Sequence, residues 1–164
     1  MMPRFTMLSV RTPVYTSSRG IKAGAAGGIV GSLIQGLIGF ALTQSVGEEI
    51  FFVTVAKLIG LGSASFVGGW SLHIITGLIV GAIFVSITAR IGIFHLAGVV
   101  KSVGVGVIAG IVVWVVWFVP LISVLIPNSL SRGDLLIGAL ILHIVYGTIT
   151  AVIARMFVRR GTQL

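Results

Sequence analysis

Four long apolar stretches constrain this chain more than anything else in it: Gly24–Thr43, Ser71–Ala89, Val103–Ile126 and Leu135–Ala154. Each is close to the roughly 20 apolar residues that a helix needs to cross a bilayer. None shows the short polar–apolar alternation of a membrane β-strand. Only 9% of the 164 residues are charged, against roughly 25% in a soluble domain. The fold class expected is therefore all-α membrane: a four-transmembrane-helix bundle forming one domain over residues 23–160, after a loosely ordered basic segment at 1–22 and before a short tail at 161–164.

The formal charge of +8 would point to nucleic acid in a soluble protein. Its distribution points instead to orientation. Arg4, Arg11, Arg19 and Lys22 precede the first stretch, Arg90 and Lys101 lie between the second and third, and Arg155, Arg159 and Arg160 follow the fourth. The other side holds Lys57 and Arg132 with all three acids, Glu48, Glu49 and Asp134. Lys- and Arg-rich short loops stay cytoplasmic. A multi-pass protein of the cell membrane with cytoplasmic N and C termini is expected, with lipid as its surroundings and no nucleic-acid partner. The acid-free, Arg- and Ser-containing start is also the make-up of an organelle transit peptide, so the mitochondrial inner membrane is the alternative location.

Glycines mark where helices come close. Gly24/Gly28 and Gly27/Gly31 form two G-x-x-x-G pairs in the first stretch, and Gly106/Gly110 form another in the third. Small residues at this spacing let backbones approach. Between the first two stretches, Glu48-Glu49 open a helical pattern too short to span, read as an interfacial or re-entrant helix with its acids in the first turn and Lys57 reaching the headgroups. Pro120 should kink the end of the third stretch. Trp114, Trp117 and Phe118 should fill the bundle core or face a bound group. Ser131 or Asp134 should cap the fourth helix.

Two segments are near copies. Leu72-His73-Ile74-Ile75-Thr76-Gly77 returns as Leu142-His143-Ile144-Val145-Tyr146-Gly147. Laying Lys22–Leu42 on Lys101–Leu121 also matches Gly27 with Gly106 and Gly31 with Gly110. Two tandem hairpins, about 22–90 and 101–160, would form a parallel repeat about an axis along the membrane normal. The histidines would then face each other across the bundle, with Gly77 and Gly147 one turn below them.

What two such histidines do is open. Holding the bundle together by interhelical hydrogen bonds is the first reading, and with it a structural or accessory subunit that meets other membrane subunits or itself. A small transporter or channel-like protein is the second, with a polar midline of Gln35, Thr76, Tyr146, Thr148 and Thr150. Axial ligation of haem b by His73 and His143, with Gly77 and Gly147 as clearance, is the third. No other metal site is expected, because the imidazoles lack a carboxylate or thiolate in the spans to complete a ligand set. With no cysteine, no intramembrane acid and no phosphate loop, no stand-alone catalytic constellation can be assembled.

The H-x-x-x-G segments in paired hairpins resemble small four-span membrane proteins of uncharacterised families, whose fourth span typically reads as an apolar run followed by His-Leu-x-Tyr-Gly. The resemblance covers most of Lys22–Arg160 and implies the fold without an activity. Thr76 stands where that pattern has tyrosine, so an aromatic role is implied in the second copy alone.

Overall fold

The computed structural model describes residues 17–91, 94–96, 98–126 and 128–160. The expectations for most of the basic start, Arg4 and Arg11 included, and for the tail at 161–164 lie outside the described residues. All regular elements among the described residues are helical: α1 (Ser17–Ser45), α2 (Phe51–Leu58), α3 (Ser65–Arg90), α4 (Val99–Val113), α5 (Val119–Leu125) and α6 (Gly133–Arg160). A π-helical turn, Trp114–Phe118, joins α4 to α5, and short 3-10 turns precede α3 and α6. Four helices are long and apolar enough to cross a membrane: Ser18–Ser45, Gly62–Arg90, Val99–Leu125 and Gly133–Arg159. They extend past the apolar stretches at most ends, because basic and polar flanking residues continue the helices.

The pattern within the helices is inverted relative to a soluble bundle. Along α1 the buried positions other than Gln35 are small, among them Gly24, Gly27, Gly28, Gly31 and Ser32, while Leu33, Leu37 and Leu42 are exposed. Ile79, Ile83, Val116, Ile137 and Ile141 are likewise exposed on the other helices. So much contiguous apolar surface is foreign to a soluble monomer and suits a hydrocarbon solvent.

Small residues set the packing order, α3 beside α1, α1 beside α6, α6 beside α4. The two G-x-x-x-G pairs of α1 serve different neighbours. Gly24 and Gly28 lie against the backbone of Gly77 and Gly81 in α3, and Gly27 and Gly31 lie against Tyr146 and Thr150 in α6. Gly106 and Gly110 of α4 lie against the backbone of His143 and Gly147. At each of these six glycines an added side chain would strike a neighbouring helix. Near the termini, Ala23, Val85, Leu96, Val105, Ala151 and Val158 close into an apolar core.

Local differences from expectation have physical causes. α2 begins at Phe51, so Glu48 and Glu49 precede its first turn. Glu49 instead accepts from Thr54 Oγ1 at 3.1 Å and pairs with Lys57, which therefore turns back on its own helix. Pro120 has no N–H, and its ring would collide with the carbonyl four residues back. The chain widens before it: Val119 N–H bonds to the Trp114 oxygen, five residues away, which makes the π turn. Ser131 does not cap α6; its hydroxyl donates to the Asn128 oxygen at 2.7 Å, while Asp134 sits in the first turn of α6.

Candidate functional site

Helices α3 and α4 flank α1 and α6, and on the α2 side of the molecule a cavity of about 930 Å³ lies between them. Residues of α1, α2, α3 and α6 line it, with Trp117 and Phe118 of the π turn. His73, His143, Gln35, Thr76, Gly77 and Tyr146 all line it. Both histidines therefore face one space. Three residues grouped with them in the sequence go elsewhere. Gly147 and Thr148 pack against Gly106 of α4, since Gly147 is on the α6 face that the α4 glycines approach. Thr150 is buried against α1 and donates to the Gly27 oxygen at 3.3 Å.

The histidines do different work despite their matching sequence. His73 Nε2 donates to the Ser32 oxygen at 3.0 Å, crossing from α3 to α1. His143 Nδ1 donates to the Ala139 oxygen at 2.7 Å, one turn back in its own helix. A carbonyl oxygen only accepts, so the proton position on each ring follows from its partner. Tyr146 crosses from α6 to α3, its hydroxyl donating to the Gly77 oxygen at 2.7 Å. Interhelical hydrogen bonding therefore holds for His73 and Tyr146, and not for His143.

Two of the aromatic rings at the cavity come from α2, which the sequence showed only as an interfacial or re-entrant helix. Phe52 stacks on His73, ring centroids 4.6 Å apart and planes 20° from parallel, and packs edge-on against Trp70 at 4.9 Å. Phe51 meets Phe118 at 5.2 Å, and Phe118 lies 5.1 Å from His143. Of the three aromatics in the third stretch, only Phe118 is buried; Trp117 is at the cavity edge and half exposed, and Trp114 is outside the cavity. The π turn rotates the chain between them. The signal that could have found these rings was Phe51-Phe52, one residue after two acids.

Haem ligation fits this arrangement poorly. The Nε2 of His73 is committed to the Ser32 oxygen and Phe52 covers the ring face, which leaves only Nδ1, while His143 keeps Nε2 open. No group of three or more histidine, aspartate or glutamate side chains suited to a metal ion occurs among the described residues. His95, in the segment between α3 and α4, interacts with the Ala89 oxygen at 3.2 Å and is not at the cavity.

Charge is confined to the mouth. Arg132 donates to Glu48 Oε1 at 3.0 Å and to Asp134 Oδ2 at 2.8 Å, tying the chain before α2 to the start of α6. Lys57 holds the Glu49 carboxyl below the usual carboxylate range. Gly47 (φ 72°) and Gly60 (φ 91°) bracket α2 in left-handed conformations that favour glycine.

Comparison of the chain with protein-family models, curated proteins and solved structures returned no match.

Proposed function

We propose that this chain is a multi-pass protein of the cell membrane, with cytoplasmic termini, that binds a small molecule in the cavity under α2 as the binding step of transport. The cavity carries this reading. Its volume of about 930 Å³ falls within the range of small-molecule sites, which are mostly apolar with a few convergent polar groups. It opens on the α2 side, and the apolar core around Val85 and Ala151 lies at the opposite end. With Arg19, Lys22, Arg90 and Lys101 cytoplasmic, that mouth faces outward.

The packing also favours a tandem origin. Gly77 sits between Gly28 and Ser32, and Gly147 between Gly106 and Gly110. Each first helix then carries small residues four apart, Gly24-Gly28-Ser32 and Ser102-Gly106-Gly110. This pairs Gly28 with Gly106, one residue away from the alignment of Gly27 with Gly106.

The test uses the absence of native cysteine. Thr76→Cys, in the purified chain reconstituted into vesicles, should react with a small polar thiol reagent added on the α2 side, and a bound ligand should slow that reaction while its flux is saturable. A protein that no small molecule protects, and that travels with fixed partner chains, overturns this reading in favour of an accessory subunit.

A further inference from the structure

The cavity's polar groups bear on what it would hold, an inference that rests on the binding role proposed above. His143 spends its Nδ1 proton on the Ala139 oxygen, so Nε2 carries a lone pair. His73 spends its Nε2 proton on Ser32, leaving the lone pair on Nδ1. Tyr146 gives its only hydroxyl hydrogen to Gly77, so its oxygen can only accept. Of the polar side chains lining the cavity with His143, those whose hydrogen bonds the structure fixes are acceptors, and Gln35 and the Thr76 hydroxyl can serve either way.

Charge is missing where it would be needed for an ionic ligand. The charged residues that line the cavity are Glu48, Glu49, Arg132 and Asp134, all at the mouth and all already in ion pairs. An ion carried to the depth of His143 would meet no counter-charge, and burying an unpaired charge is strongly unfavourable. The walls are aliphatic and aromatic, with Phe52 and Phe118 beside the two imidazoles. A purely apolar molecule would leave the imidazole lone pair unsatisfied, a cost that a hydroxyl removes.

We infer that the cavity takes a neutral apolar molecule bearing a hydroxyl, of the phenol or alcohol class, whose O–H donates to His143 Nε2. The size of the space fits a ligand with a ring and an alkyl chain.

The experiment measures saturable quenching of tryptophan fluorescence in the full-length protein in lipid nanodiscs. Four probes share one hexyl-substituted ring: para-hexylphenol, its methyl ether, para-hexylbenzoate and para-hexylbenzylammonium. The phenol should bind about tenfold more tightly than the ether, the effect of one buried hydrogen bond. His143→Phe should bring the phenol down to the ether's affinity and leave the ether unchanged, which also shows that the variant is folded. His143→Gln, whose amide oxygen can stand near the position of Nε2, should recover part of the preference. Equal binding of phenol and ether by the unmodified protein, or tighter binding of either ion, overturns the ligand class while the binding role stands. If no probe binds saturably, the binding role itself is overturned.

Discussion

Tyr146 donates its hydroxyl hydrogen to the carbonyl oxygen of Gly77 at 2.7 Å. That oxygen is also the atom that a side chain on Gly28 would strike. One backbone group on α3 therefore links to α6 through a hydrogen bond and to α1 through bare contact. Both links are possible because Gly28 and Gly77 have no side chains to hold the three backbones apart.

Removing the hydroxyl alone tests the polar half of this junction. Tyr146→Phe keeps the ring and should destabilise the bundle by about 1 kcal/mol, within the span measured for interhelical hydrogen bonds in membrane proteins. Unfolding equilibria in bicelles or mixed micelles read this directly. An unchanged stability would mean that the contact contributes nothing net.

Glycine substitutions test the apolar half by contrast. Gly28→Ala places a methyl group against the Gly77 carbonyl and should cost about 1–3 kcal/mol through forced separation of α1 and α3. Gly104→Ala, where a methyl group would meet nothing within 4 Å, should be neutral or slightly stabilising. Equal effects of the two changes would refute the packing assigned to α1.

The pairing of Lys57 with Glu49 should give α2 an acid-sensitive tether. The Glu49 carboxyl titrates below its ordinary range because of the Lys57 ammonium, so the stabilisation is fully present above that range and is lost as pH falls through the lowered value. A nitroxide on Leu58→Cys should be equally immobile from about pH 8 to pH 5 and loosen below about pH 4. In Lys57→Met the pH dependence should disappear, while the Phe52 contacts still hold α2. Loosening that begins near pH 6.5 would assign the tether to a histidine instead.

Orientation is open to the same cysteine-free background. Ser131→Cys, on the α2 side, should react with an impermeant maleimide in intact cells, and Gly98→Cys, between α3 and α4, only after permeabilisation. The reverse pattern would place the cavity mouth in the cytoplasm.

The four long helices and their approximate ends were legible in the sequence, and the small-residue spacing marked Gly24, Gly27, Gly28, Gly31, Gly106 and Gly110, which lie against neighbouring helices. Length, hydropathy and small-residue spacing are local properties, and a helix in an apolar medium satisfies its backbone within itself. The extra element between α1 and α3 was also legible as a helix. Its start was not, because Glu49 turned to Lys57 and Thr54 rather than to the α2 N-terminus.

Only the tertiary structure decided what the matching residues do. His73 and His143 occupy equivalent places in near-identical segments, yet one reaches across to Ser32 and the other bonds within α6. Gly77 and Gly147 each pack on small residues of the long helix before them, yet only Gly77 also lines the cavity. Neighbours cause the difference: α6 has α1 on one side and α4 on the other, whereas α3 packs on α1 and α2. A sequence fixes which face of a helix carries a side chain. Which carbonyl, ring or open space that face meets depends on the helices packed around it.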